Sequence, residues 1–163
     1  MGDKKMIKGK WKTYGLWILF TEVVGALSGF ISREGMKVYE ETVVQPPLSP
    51  PMFLFPIVWG LLYALLGFSV ARIWMAPASP ERSKGLNLYF SQLILNFFWS
   101  PIFFNAGAYG LALIWLIILW VMVYAMIRSF RKADPLAGNL QIPYLLWLTF
   151  ATYLTFGVWY LNP

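Results

Sequence analysis

The stretch "QLILNFFWSPIFF", residues 92–104, decides the fold, because it has the character of a membrane-spanning segment and yet contains polar side chains. Gln92, Asn96 and Ser100 are spaced four residues apart, so a helix places them on one face. An amide without a partner in hydrocarbon costs several kcal/mol. The polar face is therefore predicted to point at other helices or into a cavity.

Pro101 is relevant to whether the polar face contacts other helices or a cavity. It cannot donate a hydrogen bond to the carbonyl of Phe97, and the kink that it predicts can open a cavity. The alternative is that the amides join packed helices, where such bonds contribute roughly 0.6 to 2 kcal/mol. The polar face alone leaves both explanations open.

The composition of the whole chain is that of a membrane protein. Of its 163 residues, 59% are hydrophobic and 12% charged, whereas soluble domains are roughly 25% charged. The chain has no cysteine and no histidine, which disfavours acid–base or zinc catalysis and predicts no metal site. The net charge of +6 comes from short segments between apolar stretches, which indicates membrane topology and no nucleic-acid partner.

Five apolar segments are long enough to cross a bilayer core of about 30 Å as helices. We expect an all-α integral membrane protein whose residues 1–163 form one domain, a bundle of five transmembrane helices. The spans are predicted near residues 13–31, 51–75, 86–105, 109–127 and 141–161. Residues 32–50, which end in a proline-rich stretch, are predicted to form a stiffened lid on the outer face, with a disordered loop as the alternative.

Lysine and arginine predict the orientation of these spans. Eleven of the thirteen fall on one side of the membrane: Lys4, Lys5, Lys8, Lys10, Lys12, Arg72, Arg82, Lys84, Arg128, Arg131 and Lys132. By the positive-inside rule, the N-terminus is cytoplasmic and the C-terminus outside. A cleaved signal peptide is the alternative for the first span, and Glu22 within it argues against cleavage.

Aromatic residues make up 19% of the chain, and some lie too far from the helix ends to be interfacial. Trp59 and Tyr63 are one turn apart on the second span, and Trp147 shares a face of the fifth with Phe150 and Ala151. A chamber lined by such rings and a few amides suits a flat, largely apolar ligand. Any one tryptophan taken alone is better explained by packing.

The first span carries a face made of small residues and one acid. Gly25 and Gly29 form a small-xxx-small pattern, which allows helices to approach closely. Glu22 lies on the same face, and an ionisable group within a span either serves function or pairs with a neighbouring helix. Both roles remain open for it.

Several motifs together resemble one family. They are "REGMKVYEETVVQPPLSPP" (33–51), "PIVWGLLYALLG" (56–67), "LNFFWSPIFF" (95–104), "GLAL" (110–113) and "PYLLWLTFATYLTFGVWYLN" (143–162). In this order they resemble the translocator protein or tryptophan-rich sensory protein family, formerly called peripheral-type benzodiazepine receptors, in its bacterial form. The resemblance implies five tightly bundled helices in the bacterial cell membrane, commonly as a homodimer.

The resemblance also implies a pocket beneath the first loop that binds tetrapyrroles such as protoporphyrin IX, together with synthetic isoquinoline or benzodiazepine ligands. The residues that match the family's pocket are Tyr39, Pro51, Trp59, Tyr63, Asn96, Trp99, Ser100, Phe103, Trp147, Phe150 and Ala151. No cofactor is required, and the porphyrin is a ligand, favoured without iron because the usual axial ligands are absent.

A membrane receptor or sensor for porphyrins is the function that this resemblance favours, with a role in regulating tetrapyrrole metabolism or transport. The alternatives are a light-dependent porphyrin-degrading enzyme, with Trp59 and Trp147 as candidate catalytic residues, and a porphyrin carrier. The sequence departs from the family at Val38, Gln45 and Leu48 in the lid. It also lacks a basic residue after Tyr160, so sterol binding is not predicted.

Overall fold

The computed structural model describes residues 2–163, without the side chains of residues 2–5 and 7. Lys4 and Lys5, which the orientation prediction counts, therefore lie outside the described side chains. No strand occurs in the described residues. The elements are α1 (Gly2–Thr42), α2 (Leu54–Met75), α3 (Pro80–Ser100), a π-helical turn (Pro101–Asn105), α4 (Tyr109–Ala133), α5 (Pro135–Asn139) and α6 (Ile142–Leu161).

Four helical segments are long and apolar enough to cross a membrane. They are Lys8–Thr42, Leu54–Met75, Tyr109–Ala133 and Pro135–Leu161. Helix α3 is not among them, because charged residues fill its first turns and Gln92 and Asn96 lie in its second half. The prediction of an all-α membrane protein is confirmed, and the count of five spans stays a prediction.

The lid predicted at residues 32–50 is much shorter in the structure. Helix α1 continues to Thr42, so the prediction of a loop over residues 32–42 is wrong. This stretch is rich in helix-forming residues and has no proline, and Lys37 pairs with Glu34 one turn away at 3.4 Å. Charged residues ended the apolar run without ending the helix, which stops only before Pro46. Residues 43–53, which the sequence analysis predicts to lie at the outer face of the membrane, are called the outer loop below.

The outer loop is bound to the end of α6. Asn162 accepts a hydrogen bond from the backbone N–H of Val44 at 3.0 Å and donates to the carbonyl of Val44 at 2.9 Å. The hydroxyl of Tyr153 donates to the carbonyl of Pro47 at 2.9 Å. These bonds fix the loop to the helix bundle.

The boundaries of two other predicted spans also moved outward. Helix α3 begins at Pro80, because Ser79 caps it by accepting from the N–H of Arg82 at 3.1 Å and proline is favoured in the first turn. Helix α4 runs beyond residue 127 to Ala133, where basic residues suit a helix C-terminus. Hydropathy marks the apolar middle of a helix and misses such polar ends.

The kink predicted at Pro101 takes the form of a change from α-helix to π-helix. The N–H of Ala106 donates to the carbonyl of Pro101, five residues back, at 3.0 Å. Pro101 leaves the carbonyl of Phe97 without a donor in its own helix, and the hydroxyl of Ser28 on α1 donates to it at 2.7 Å. The acceptor that the proline exposes is thus used to join α1 to α3.

The long helices form a closed ring in the order α1, α2, α6, α4, α3. At the inner end of the α1–α2 contact, Gly67 lies directly against the backbone of Ile18, where any side chain would collide. Gln141, the residue before α6, closes the ring, because its amide donates to the hydroxyl of Ser69 on α2 at 2.8 Å and to the carbonyl of Leu65 at 3.1 Å.

Candidate ligand-binding site

A cavity of about 610 Å³ lies between α1, α2 and α3, below the outer loop. This volume is within the range of about 300 to 1,000 Å³ that is usual for small-molecule sites. Its lining comprises Glu22, Gly25, Ala26, Ser28, Gly29, Met36, Lys37, Glu40, Met52, Phe53, Phe55, Pro56, Trp59, Gly60, Tyr63, Asn96, Trp99, Ser100 and Phe104. Its walls are mostly apolar, with a few amide, hydroxyl and charged groups.

Small residues of α1 form the wall that faces α2. Gly25 lies so close to the ring of Tyr63 that a side chain there would collide with it, whereas Gly29, one turn further out, has open space beside it. The close neighbour of Gly25 is the Tyr63 side chain, so the small residues make room for a ring and not for a neighbouring helix backbone as predicted, and Gly29 borders the cavity. The two helices are therefore in contact below Gly25 and separated above it.

This separation opens the cavity sideways. Ala26 on α1 and Pro56 on α2 both border the cavity and are exposed, and Gly60 has open space beside it. The opening faces the side of the bundle, where the acyl chains of a bilayer lie. Lys37 and Glu40 are exposed at the outer rim.

Two tryptophans supply the flat aromatic surfaces of the cavity. Trp59 on α2 stacks on Tyr63, with 5.4 Å between ring centroids. Trp99 on α3 stacks on Phe103 at 5.0 Å, with 17° between the ring planes. Each ring is held by a second ring behind or beside it, so its orientation is fixed before any ligand binds.

The polar face of α3 meets both environments considered from the sequence. Asn96 lines the cavity, and its Nδ2 donates to the hydroxyl of Tyr144 on α6 at 2.7 Å. That hydroxyl donates in turn to Oε1 of Gln92 at 2.7 Å, and Gln92 is fully buried. Gln92 therefore joins helices, while Asn96 does this and also presents its amide at the cavity wall.

Tyr144 was missed by the sequence reasoning. The available signal was the polar face itself, since two amides inside a span require a partner on another helix. The residue lies near the start of α6, and its hydroxyl is placed between the two amides by the packing of α6 behind α3. No periodicity within α6 marks it out.

Of the predicted ligand-binding residues, five line the cavity: Trp59, Tyr63, Asn96, Trp99 and Ser100. Six are not part of its lining: Tyr39, Pro51, Phe103, Trp147, Phe150 and Ala151. Pro51 is exposed in the outer loop. Tyr39 packs on Phe103, with 5.4 Å between ring centroids, so both form a layer behind Trp99.

The three predicted residues of α6 lie outside the cavity lining. Trp147 meets Trp59 edge to face, with 6.4 Å between ring centroids and 89° between planes. Phe150 contacts Trp147 at 5.7 Å, and Ala151 is buried. Trp59 borders the cavity and Trp147 lies behind it. The spacing of residues along α6 alone does not reveal this arrangement.

The sequence analysis assigned Gly25 and Gly29 to close helix packing and left the role of Glu22 open between function and pairing with a neighbouring helix. The Glu22 carboxylate makes no hydrogen bond or ion pair with any residue that the structure describes, so pairing with a neighbouring helix is not observed. No group of three or more acidic side chains in the described part of the chain is placed to hold a metal ion. The cavity therefore offers aromatic, amide and single charged contacts to a ligand.

Comparisons with known proteins find relatives that match most of the chain. The model of the TspO/MBR family matches residues 17–161. The chain is 32% identical to the tryptophan-rich protein TspO of Chlorobaculum tepidum, over 93% of this chain and 96% of that protein. It is 35% identical to the tryptophan-rich sensory protein of Cereibacter sphaeroides (90% and 92%) and 35% identical to the human translocator protein (81% and 79%).

Proposed function

Because the chain belongs to the TspO/MBR family, we propose that it is a membrane receptor or sensor that binds porphyrins, such as protoporphyrin IX, and similar planar hydrophobic ligands. The observation that carries the proposal is the cavity of about 610 Å³, with the rings of Trp59 and Trp99 and the amide of Asn96 in its walls. Flat rings bind flat ligands by stacking, and a single amide fixes one polar edge.

The sideways opening suits a ligand that dissolves in the bilayer. A planar apolar molecule concentrated among lipid chains reaches the cavity between α1 and α2 without crossing water. Met52 and Phe53 belong to both the outer loop and the cavity wall. In this proposal, a ligand in the cavity contacts Met52 and Phe53 and so changes the position of the outer loop and its hydrogen bonds to α6.

A cavity-filling variant tests the site. Gly29 borders the cavity and has open space beside it, whereas Gly15 on the same helix has open space but lies outside the cavity. We expect Gly29→Phe to weaken porphyrin binding at least tenfold, because the added ring, which itself buries roughly 150–250 Å², fills space that the ligand needs. Gly15→Phe should leave binding unchanged.

Binding is measured by titrating protoporphyrin IX into the purified protein and following its absorption band and the quenching of tryptophan emission. Equal affinity in the two glycine variants would place any binding outside this cavity. No spectral change with the wild type would overturn the proposed function.

Light-dependent porphyrin degradation is a second candidate, favoured by the contact of Trp59 with Trp147. Trp59 borders the cavity, and its partner lies behind it at 6.4 Å between ring centroids. In this reaction an indole donates one electron to the photoexcited porphyrin, which passes it to dioxygen and forms superoxide. The indole radical cation then takes an electron back from the porphyrin, so the indole is restored and the porphyrin is oxidised by one electron. Trp59→Phe and Trp147→Phe should abolish loss of porphyrin in light while binding survives, and unchanged loss would refute the reaction.

The proposal includes α3 as a fifth span, with the N-terminus cytoplasmic in a bacterial cell membrane. Helix α3 turns its amides inward, while Phe90, Ile94 and Phe98 on its outer face are exposed and apolar, as contact with lipid requires. Because the chain has no cysteine, single cysteines introduced at positions 84 and 162 report topology directly. A membrane-impermeant maleimide applied to intact cells should label position 162 and not position 84.

A homodimer through the outer face of α4 is also part of the proposal. Ile114, Ile118 and Val121 lie along one exposed, apolar face of this helix. A single cysteine at position 118 should cross-link two copies in membranes, with a cysteine at position 94 on α3 as the control. Cross-linking at position 94 alone would assign the interface elsewhere.

A further inference from the structure

Glu22 is an ionisable side chain on the cavity wall that has no structural partner. It borders the cavity beside Gly25 and Tyr63, and its carboxylate makes no hydrogen bond or ion pair with any described residue. The nearest basic residues of α1 are Lys12 and Arg33, roughly 15 and 16 Å away along the helix at about 1.5 Å per residue. Glu22 therefore lies near the middle of the span, away from either charged end.

The environment of Glu22 leaves one class of partner available. A carboxylate in apolar surroundings is costly unless it is paired, and its neighbours on the cavity wall, such as Ala26, Trp59 and Tyr63, are uncharged. A ligand in the cavity is the group that can approach it. The chemical complement is a positively charged nitrogen that donates a hydrogen bond, since charge-assisted bonds are about twice as strong as neutral ones.

We propose that Glu22 sets the ligand preference of the cavity, selecting planar aromatic molecules that carry a protonated amine. The amine binds the Glu22 carboxylate at the inner end, and the aromatic body lies against Trp59 and Trp99. A ligand with carboxylate groups is accepted only with those groups pointing to Lys37 at the outer rim. This inference rests on the proposed function, since it names the ligand chemistry of the same cavity.

Two probes of nearly the same shape test the preference. 1-Pyrenemethylammonium and 1-pyrenemethanol differ in charge at one position, and both accept energy from tryptophan emission. The full chain is placed in nanodiscs of phosphatidylcholine, whose zero net charge keeps surface attraction of the cation small. Dissociation constants come from quenching of tryptophan emission in the wild type, in Glu22→Gln and in Glu41→Gln, an exposed acid of α1 that does not border the cavity.

We expect the wild type to bind the ammonium probe roughly tenfold tighter than the alcohol, as one charge-assisted hydrogen bond predicts. Glu22→Gln should lose this preference, so that both probes bind it with similar affinity, and its helical circular dichroism should match that of the wild type, which shows that the variant is folded. Glu41→Gln should behave as the wild type.

Two contrary outcomes are separable. If both probes bind the wild type equally, or if the preference survives in Glu22→Gln, the role of Glu22 is overturned while the cavity remains a binding site. If neither the probes nor protoporphyrin IX bind the wild type, the proposed function fails, and this inference fails with it.

Discussion

Replacing Tyr144 with phenylalanine removes a single oxygen atom that holds two side chains of α3. The hydroxyl donates to Gln92 and accepts from Asn96, each at 2.7 Å. Gln92 is fully buried and its Nε2 has no partner among the described residues, so the bond from Tyr144 is the one that its side chain makes there. Both amides lose a partner at once in the variant.

The expected loss of stability follows from these two bonds. Hydrogen bonds between membrane helices contribute roughly 0.6 to 2 kcal/mol each, and a buried polar group left unpaired costs roughly 1 to 3 kcal/mol. Gln92 bears this cost in full, whereas Asn96 borders the cavity and can find water there. We expect Tyr144→Phe to lower the free energy of unfolding by about 2 to 3 kcal/mol.

The measurement is unfolding of the purified protein in mixed micelles by titration with SDS, followed by circular dichroism. Tyr160→Phe is the matched control, because Tyr160 is exposed and makes no hydrogen bond among the described residues; it should change stability by less than about 0.5 kcal/mol. The double variant Gln92→Leu, Tyr144→Phe should be more stable than Tyr144→Phe alone, since both partners are then apolar. Wild-type stability of Tyr144→Phe would refute the reasoning.

Two further substitutions test the contacts of α1 by the same unfolding assay. Ser28→Ala should lower the free energy of unfolding by about 1 kcal/mol, because it leaves the carbonyl of Phe97 without a donor. Pro101→Ala restores an N–H to α3, so Ser28→Ala should cost less in that background. An equal loss of stability in both backgrounds would contradict this explanation. Gly67→Ala should destabilise the protein by roughly 1 to 3 kcal/mol, because its methyl group meets the backbone of α1. Gly15→Ala should instead stabilise it by up to about 1 kcal/mol through helix propensity. Changes of the same sign in the two variants would argue against close contact at Gly67.

The sequence predicted well those contacts that follow from the hydrogen-bonding requirement of a single residue. Gln92 and Asn96 require partners wherever they lie, so their burial followed from spacing alone. The free carbonyl of Phe97 followed from Pro101 in the same way. The donor to this carbonyl could not be predicted in the same way. Ser28 lies 69 residues away in the sequence, and many other hydroxyl groups could bind the same acceptor.

The helix boundaries and the set of residues that line the cavity could not be predicted from hydrophobic periodicity. Helix α1 extends through residues 32–42 because helix propensity persists where hydropathy falls, and the prediction used hydropathy. Trp147 was expected in the cavity because it shares a face with Phe150 and Ala151. Its distance from the cavity depends on the order of helices around the ring, which places Trp59 in front of it.

The tight contact of Gly67 with Ile18 has a mechanical consequence for the entrance. Helix α1 is continuous from this pivot to Lys37, nineteen residues and roughly 28 Å further out. A rigid lever of that length moves its far end by about 0.5 Å for each degree of tilt, as its rise per residue implies. Gly29 lies eleven residues from Ile18, roughly 16 Å along the helix, so a tilt of about three degrees widens the gap beside it by about 0.9 Å.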